Sequence, residues 1–140
     1  MTEMETLVQK GLDLDAAGKK EDALMAYNDA FNILIDAAGA YAKEQMVGVT
    51  DIEELRLHTE EVFSHSKNYL KRDMHAASVL NAMGILFAEV GEYDNAAHKF
   101  EEAIEYIPDG VTYNDPSENL QGVIAKMTIA AETASEEEQS

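Results

Sequence analysis

Apolar residues recur at three- and four-residue steps along almost the whole chain, the spacing of one face of a helix. Leu7, Val8, Gly11, Leu12 and Leu14 mark a first helix within residues 1–18, closed by Gly18. Ala23, Leu24, Tyr27, Ala30, Phe31 and Leu34 mark a second, starting near Lys20. No breaker stands at Ile35, so this helix is predicted to run on to about Gln45. Ile52, Leu55, Val62, Phe63, Tyr69 and Leu70 line a helix from Asp51 to Arg72, with Thr50 and Glu53 as a capping box at its start. Val79, Leu80, Met83, Leu86 and Phe87 line the next, with Asp73 as its cap. Ala96, Phe100, Ala103 and Ile104 line its partner, which Pro108 stops. Residues 108–116 read as a loop. Asp115, Pro116 and Glu118 open a last helix over about 116–134, made amphipathic by Leu120, Val123, Ile124, Met127 and Ile129. Residues 135–140 read as an acidic, disordered tail. The fold class is all-α, with one domain over 1–134.

The small residues carry a second pattern. Gly84 sits inside an apolar helical run, where glycine costs about 1 kcal/mol relative to alanine. A missing side chain there makes sense if a neighbouring helix must come close. Ala96 and Ala103 share one face of the following helix, with Phe100 and Ile104 beside them. Gly91 suits the left-handed position that ends a helix. The same set occurs earlier in the chain. Gly11, Gly18, Ala23, Tyr27 and Ala30 precede Gly84, Gly91, Ala96, Phe100 and Ala103 by the same 73 positions, and Leu7 precedes Leu80 likewise. An aromatic in register makes this an internal repeat of antiparallel helical hairpins.

Leu80, Met83, Gly84, Phe87, Gly91, Ala96, Phe100, Ala103 and Pro108 together resemble the tetratricopeptide repeat (TPR), a helix–turn–helix unit of about 34 residues. The resemblance implies units at about 4–37 and 77–110, with a divergent middle unit at 38–76 whose first half, Ala38 to Val47, is short or fused to the preceding helix. It implies hairpins stacked as a short superhelix with a C-terminal capping helix. The first unit departs from the pattern at Lys10, Lys20 and Ile35. The N-terminal half, over 4–72, also resembles an MIT domain, a three-helix bundle of microtubule-interacting and trafficking proteins. Ala23, Tyr27 and Ala30 fit its second helix and Leu55, Arg56, Phe63 and Tyr69 its third, while His65 replaces the usual arginine.

Composition narrows the function. The 140 residues carry 28 acidic and 10 basic side chains, a net charge of −18. Phosphate backbones are repelled by such a chain, so nucleic acid is not an expected partner. Anionic membrane surfaces are disfavoured too. A basic partner is steered in faster. No stretch has the ~18 uninterrupted apolar residues of a membrane span. There is no cysteine, and the N-terminus lacks a basic-then-apolar leader, so a cytoplasmic setting is expected.

No catalytic constellation is present. His58 and His65 lie on one helix with Glu54 and Glu61 four residues before each, but no Glu-x-x-His or His-Glu-x-x-His pattern accompanies them. Of the two isolated histidines, His98 has Asp94 as its suitably spaced partner. Phosphate loops and nucleophile elbows are absent. Adjacent pairs such as Glu53/Glu54 point about 100° apart on a helix and do not converge. No cofactor, metal or enzymatic activity is expected.

The expected function is a protein–protein interaction module. The tetratricopeptide resemblance implies a concave groove lined by Val8, Leu12 and Asp15 in the first unit and by Ser78, Asn81, Ile85 and Glu89 in the later one. Val8, Leu12 and Ile85 also suit packing against neighbouring helices. The lysine–asparagine clamp that one subgroup uses for acidic chaperone tails is missing, because Val8, Leu12 and Ala82 stand in its place. A basic or amphipathic helical ligand is therefore expected. The alternative class is a self-assembling scaffold, since a short repeat exposes apolar surface at its ends.

Overall fold

The computed structural model describes the chain except Val47, Val49, Thr50 and Ser140, with backbone alone for Ile52, Leu55 and residues 135–139. The described residues form α1 (Glu3–Ala16), α2 (Lys20–Gln45), α3 (Ile52–Leu57), α4 (Thr59–Leu70), α5 (His75–Glu89), α6 (Tyr93–Glu105) and α7 (Asp115–Gln139), with no strand among them. Helix α1 pairs with α2 and α5 with α6 as two hairpins, and α2 packs on α5 to stack them. Helix α4 lies against α2, and α7 covers α6 and touches α5.

Both hairpins close in the same way. The amide of Gly18 donates to Asp15 and that of Lys19 to Leu14, with Gly18 at φ 79°. Gly91 donates to Ala88 and Glu92 to Phe87, with Gly91 at φ 82°. Each glycine takes the left-handed conformation that satisfies the last carbonyls of a helix and reverses the chain. A β-carbon at Gly11 would lie 2.8 Å from the Tyr27 ring, and one at Gly84 would lie 2.5 Å from the Phe100 ring. The glycines are seats for the aromatic of the paired helix, a closer reading of the close helix approach expected at Gly84.

The main core joins Met4, Tyr27, Phe31, Leu34, Leu70, Val79, Leu80, Met83, Leu86 and Ala103, so it draws on α1, α2, α4, α5 and α6. A smaller cluster of Ala96, Phe100 and Val123, flanked by Phe87, Leu120 and Met127, fixes α7 to the second hairpin. Lys20 ties the hairpins together at the surface, pairing with Asp15 at 3.1 Å and also with Glu89.

Helix α2 continues unbroken to Gln45, so the segment from Ala38 is fused to the preceding helix. Ala38 and Ala42 are buried in its extension, where α4 rests. The helix expected over 51–72 is divided at His58, where the Thr59 hydroxyl bonds to the Arg56 carbonyl. Thr50 of the expected capping box lies outside the described residues. The Asp51 carboxylate accepts from the Glu53 amide at 3.0 Å. Asp73 accepts from the His75 amide at 3.0 Å, but Met74, not Asp73, stands at the N-cap of α5. Helix α7 extends through residues 135–139, beyond the expected end near 134. Its Ala, Glu and Gln residues are good helix formers and no breaker interrupts them.

Burial raises the Tyr27 hydroxyl above its ordinary pKa of 10.0, with the charge of Asp15 adding to it. Burial raises Tyr106 as well, reinforced by Glu105 and Glu102. Hydrogen bonds to Glu89 and Asp15 raise Lys20 above 10.5. In each case the unfolded chain loses its proton first as pH rises, so the stabilisation is complete below the unfolded value and is lost through the folded one. The urea midpoint is expected to hold below pH 10 and to fall above it. Tyr27→Phe keeps the ring on Gly11 and should flatten part of that fall; an unchanged slope would contradict the assignment.

Candidate functional site

The expected groove residues meet different fates. On α1, Leu12 is exposed, Val8 is half-buried against the main core, and Asp15 is held by Lys20. On α5, Ser78 and Ile85 are exposed, while Glu89 is the other carboxylate on Lys20. Asp15 and Glu89 are thus brought together across the two hairpins, but onto a cation of the chain itself. Asn81 is buried, and its side-chain oxygen accepts from the Asn119 amide at 3.1 Å. It secures α7 rather than facing a ligand. Ile85 and Glu89 do line a hollow of about 260 Å³ with Glu118, Gly122 and Lys126 of α7.

The larger hollow lies elsewhere, between the extension of α2 and the α3/α4 segment. It measures about 590 Å³, and Ile35, Asp36, Gly39, Ala40 and Lys43 form one wall. Arg56, Thr59, Val62 and Phe63 form the other. Positions 36, 39, 40 and 43 follow one another at helical steps, so they share an edge of α2. Phe63 is 69% exposed and Ile35 41%. The volume falls in the range of about 300–1,000 Å³ typical of binding clefts.

Aromatic and ionic contacts fix α4 to its neighbours. The Tyr41 and Tyr69 rings sit 5.4 Å apart between centroids, and the Arg72 guanidinium lies 3.9 Å from the centre of the Tyr69 ring. Lys67 pairs with Glu105 at 3.2 Å and Lys71 with Asp109 at 2.8 Å, tying α4 to the end of α6. Lys71 also holds the Asp109 carboxyl below its ordinary range.

The sequence left a trace of this site that periodicity alone did not resolve. Gly39 is a helix-interior glycine with no aromatic at the matching position of a hairpin partner. Phe63, expected in an apolar stripe that packs, faces solvent.

The histidines make local pairs. His58 Nδ1 lies 3.4 Å from Glu61, and His98 Nε2 lies 3.0 Å from Glu102 rather than beside Asp94. Among the described residues, no group of three or more His, Cys, Asp or Glu is placed to hold a metal ion. No helix among them is long and apolar enough to cross a membrane. No protein-family model matches the chain, and no curated protein matches it.

Proposed function

We propose that this chain is a non-enzymatic protein–protein interaction module that binds an amphipathic helix or peptide of a partner. The observation that carries the reading is the open apolar groove over Gly39 and Ala40, with Phe63 69% exposed on its wall. Large apolar side chains gathered along a groove, rather than scattered singly, mark interaction surfaces. Helix-in-groove recognition uses such a surface, reading anchors at three- and four-residue steps.

Kinship with tetratricopeptide proteins is part of this proposal. It is supported by two hairpins with the same glycine closure and the same ring-on-glycine seat, 73 positions apart. The packing of α1 mainly on α2, with α4 on the extension of α2, weighs against the three-helix bundle of an MIT domain. The face carrying Leu12, Ser78 and Ile85 remains the surface that a tetratricopeptide groove would use. A cytoplasmic setting belongs to the same reading.

Phe63→Ser tests it. The substitution removes an exposed ring, so the melting temperature should stay within experimental error. Capture of a native partner should fall about tenfold or more, the loss expected of an aromatic anchor. Unchanged capture would refute the groove as the contact surface. Self-assembly is the second reading, favoured by Leu57 at 84% exposure on the short helix that adjoins the groove. Sedimentation decides it, since a monomer independent of concentration removes the scaffold.

A further inference from the structure

We propose that the groove between α2 and the α3/α4 segment seats an amphipathic helix of another protein, which sets one aromatic side chain on Gly39 and its carboxylates against Lys43 and Arg56. The inference rests on the interaction-module reading, takes the amphipathic rather than the basic of the two ligands the sequence led one to expect, and names the partner's chemistry at that site.

The first argument comes from the glycines. Glycine inside a helix costs about 1 kcal/mol relative to alanine. At Gly11 and Gly84 the gap is filled by the Tyr27 and Phe100 rings. At Gly39, inside α2, no atom of the described residues lies within 4 Å of where a β-carbon would be. It is a gap of the same kind without its ring. Ala40 beside it keeps the floor low, and Ile35, Val62 and Phe63 wall it with apolar surface. A helix backbone can approach such a floor closely and lay a large side chain into it. Gly122 is also open, but on α7 and beside the smaller hollow.

The second argument is charge. Lys20, Lys67, Lys71, Arg72 and Lys99 each pair with a carboxylate. Lys10, Lys19, Lys43, Arg56 and Lys126 make no ion pair among the described residues, and of these Lys43 and Arg56 line the same hollow. Lys43 gains from the dipole of the last turn of α2; Arg56 lines the same hollow from the opposite wall. Asp36 is the one carboxylate among the lining residues. The lining is therefore cationic on balance within a chain of net charge −18. Screening over roughly 8 Å at physiological salt lets these contact charges outweigh the distant acidic surface. Asp36 and Lys43 sit two helical turns apart, about 10 Å along one edge. The groove thus has an acidic and a basic end, and the bound helix lies with its carboxylates at the Lys43 end.

A displayed library of helical peptides, each with an apolar stripe and randomised flanks, is panned against the full chain. The peptides recovered are then measured on the wild type, on Gly39→Leu and on the pair Lys43→Glu with Arg56→Glu. They should carry an aromatic on the apolar face and acidic flanks. Gly39→Leu and the charge-reversed pair should each weaken binding about tenfold or more. Gly39→Ala, which favours the helix, should weaken it less while raising the melting temperature, so lost binding is not lost folding. Recovered peptides that bind Gly39→Leu as well as the wild type overturn the seat and leave the module reading standing. Lysine-rich flanks overturn the charge assignment. A dimer that Gly39→Leu dissolves makes a second copy the occupant and overturns the proposal. Recovery of no peptide at all overturns both the seat and the module reading.

Discussion

Gly84→Val should destabilise the protein by about 3 kcal/mol, enough to remove a large share of the stability of a domain this size. A single β-carbon at this position would already stand 2.5 Å from Cε1 and 2.6 Å from Cδ1 of Phe100. Phe100 is 1% exposed and packs with Ala96 and Val123, so the ring can shift only toward the hollow it borders beside α7. Gly84→Ala sets two effects against each other. Helix propensity gains about 1 kcal/mol, and overpacking costs about 1–3 kcal/mol. The clash wins, for a net loss on the order of 1 kcal/mol. Gly11→Ala should lose less, since its contact with Tyr27 is 2.8 Å and that ring is 3% exposed. Gly39→Ala meets nothing among the described residues and keeps the propensity gain. Urea denaturation of the three alanine variants measures all of this, and a stabilised Gly84→Ala would show that the ring does not sit where described.

Phe100→Ala should cost about 3–5 kcal/mol, the range for deleting a fully buried phenyl ring. The loss has two parts. The ring is the filler of the Gly84 gap, and it is the centre of the cluster that holds α7 to the second hairpin. Removing it therefore loosens α7 as well as α5 against α6. The same cavity makes room at Gly84, so Gly84→Ala in the Phe100→Ala background should be neutral or stabilising. A double-mutant cycle should give a coupling of about 1–3 kcal/mol, in the direction of mutual rescue. Additive losses would mean that the two residues do not share one space.

Where the sequence was legible, it was legible through its small residues. Gly11 with Tyr27 and Gly84 with Phe100 announced both hairpins, because a gap and its filler have to be spaced to meet. Gly18 and Gly91 announced the turns, because the reversal needs a left-handed residue. The absence of a breaker at Ile35 announced the long α2. What periodicity could not supply was the identity of the neighbour. It defines the apolar face of a helix but not which face it meets, so Asn81 read as a groove residue when α7 covers it. It also gave no sign of the division at His58, where the Thr59 hydroxyl turns back to the Arg56 carbonyl. The groove itself was hidden for the same reason. Phe63 satisfies a helical stripe whether or not anything packs on it, and Gly39 declares itself only when its surroundings are found empty.

Helix α7 is anchored by Val123 and Met127, and beyond them every described side chain is exposed. About 12 further residues, near 18 Å of helix, extend past the last anchor. That stretch holds Glu132 and, by sequence, Glu136, Glu137 and Glu138 with no basic residue among them. By sequence that end carries four carboxylates against no cation, so a cationic partner would feel it from beyond contact distance.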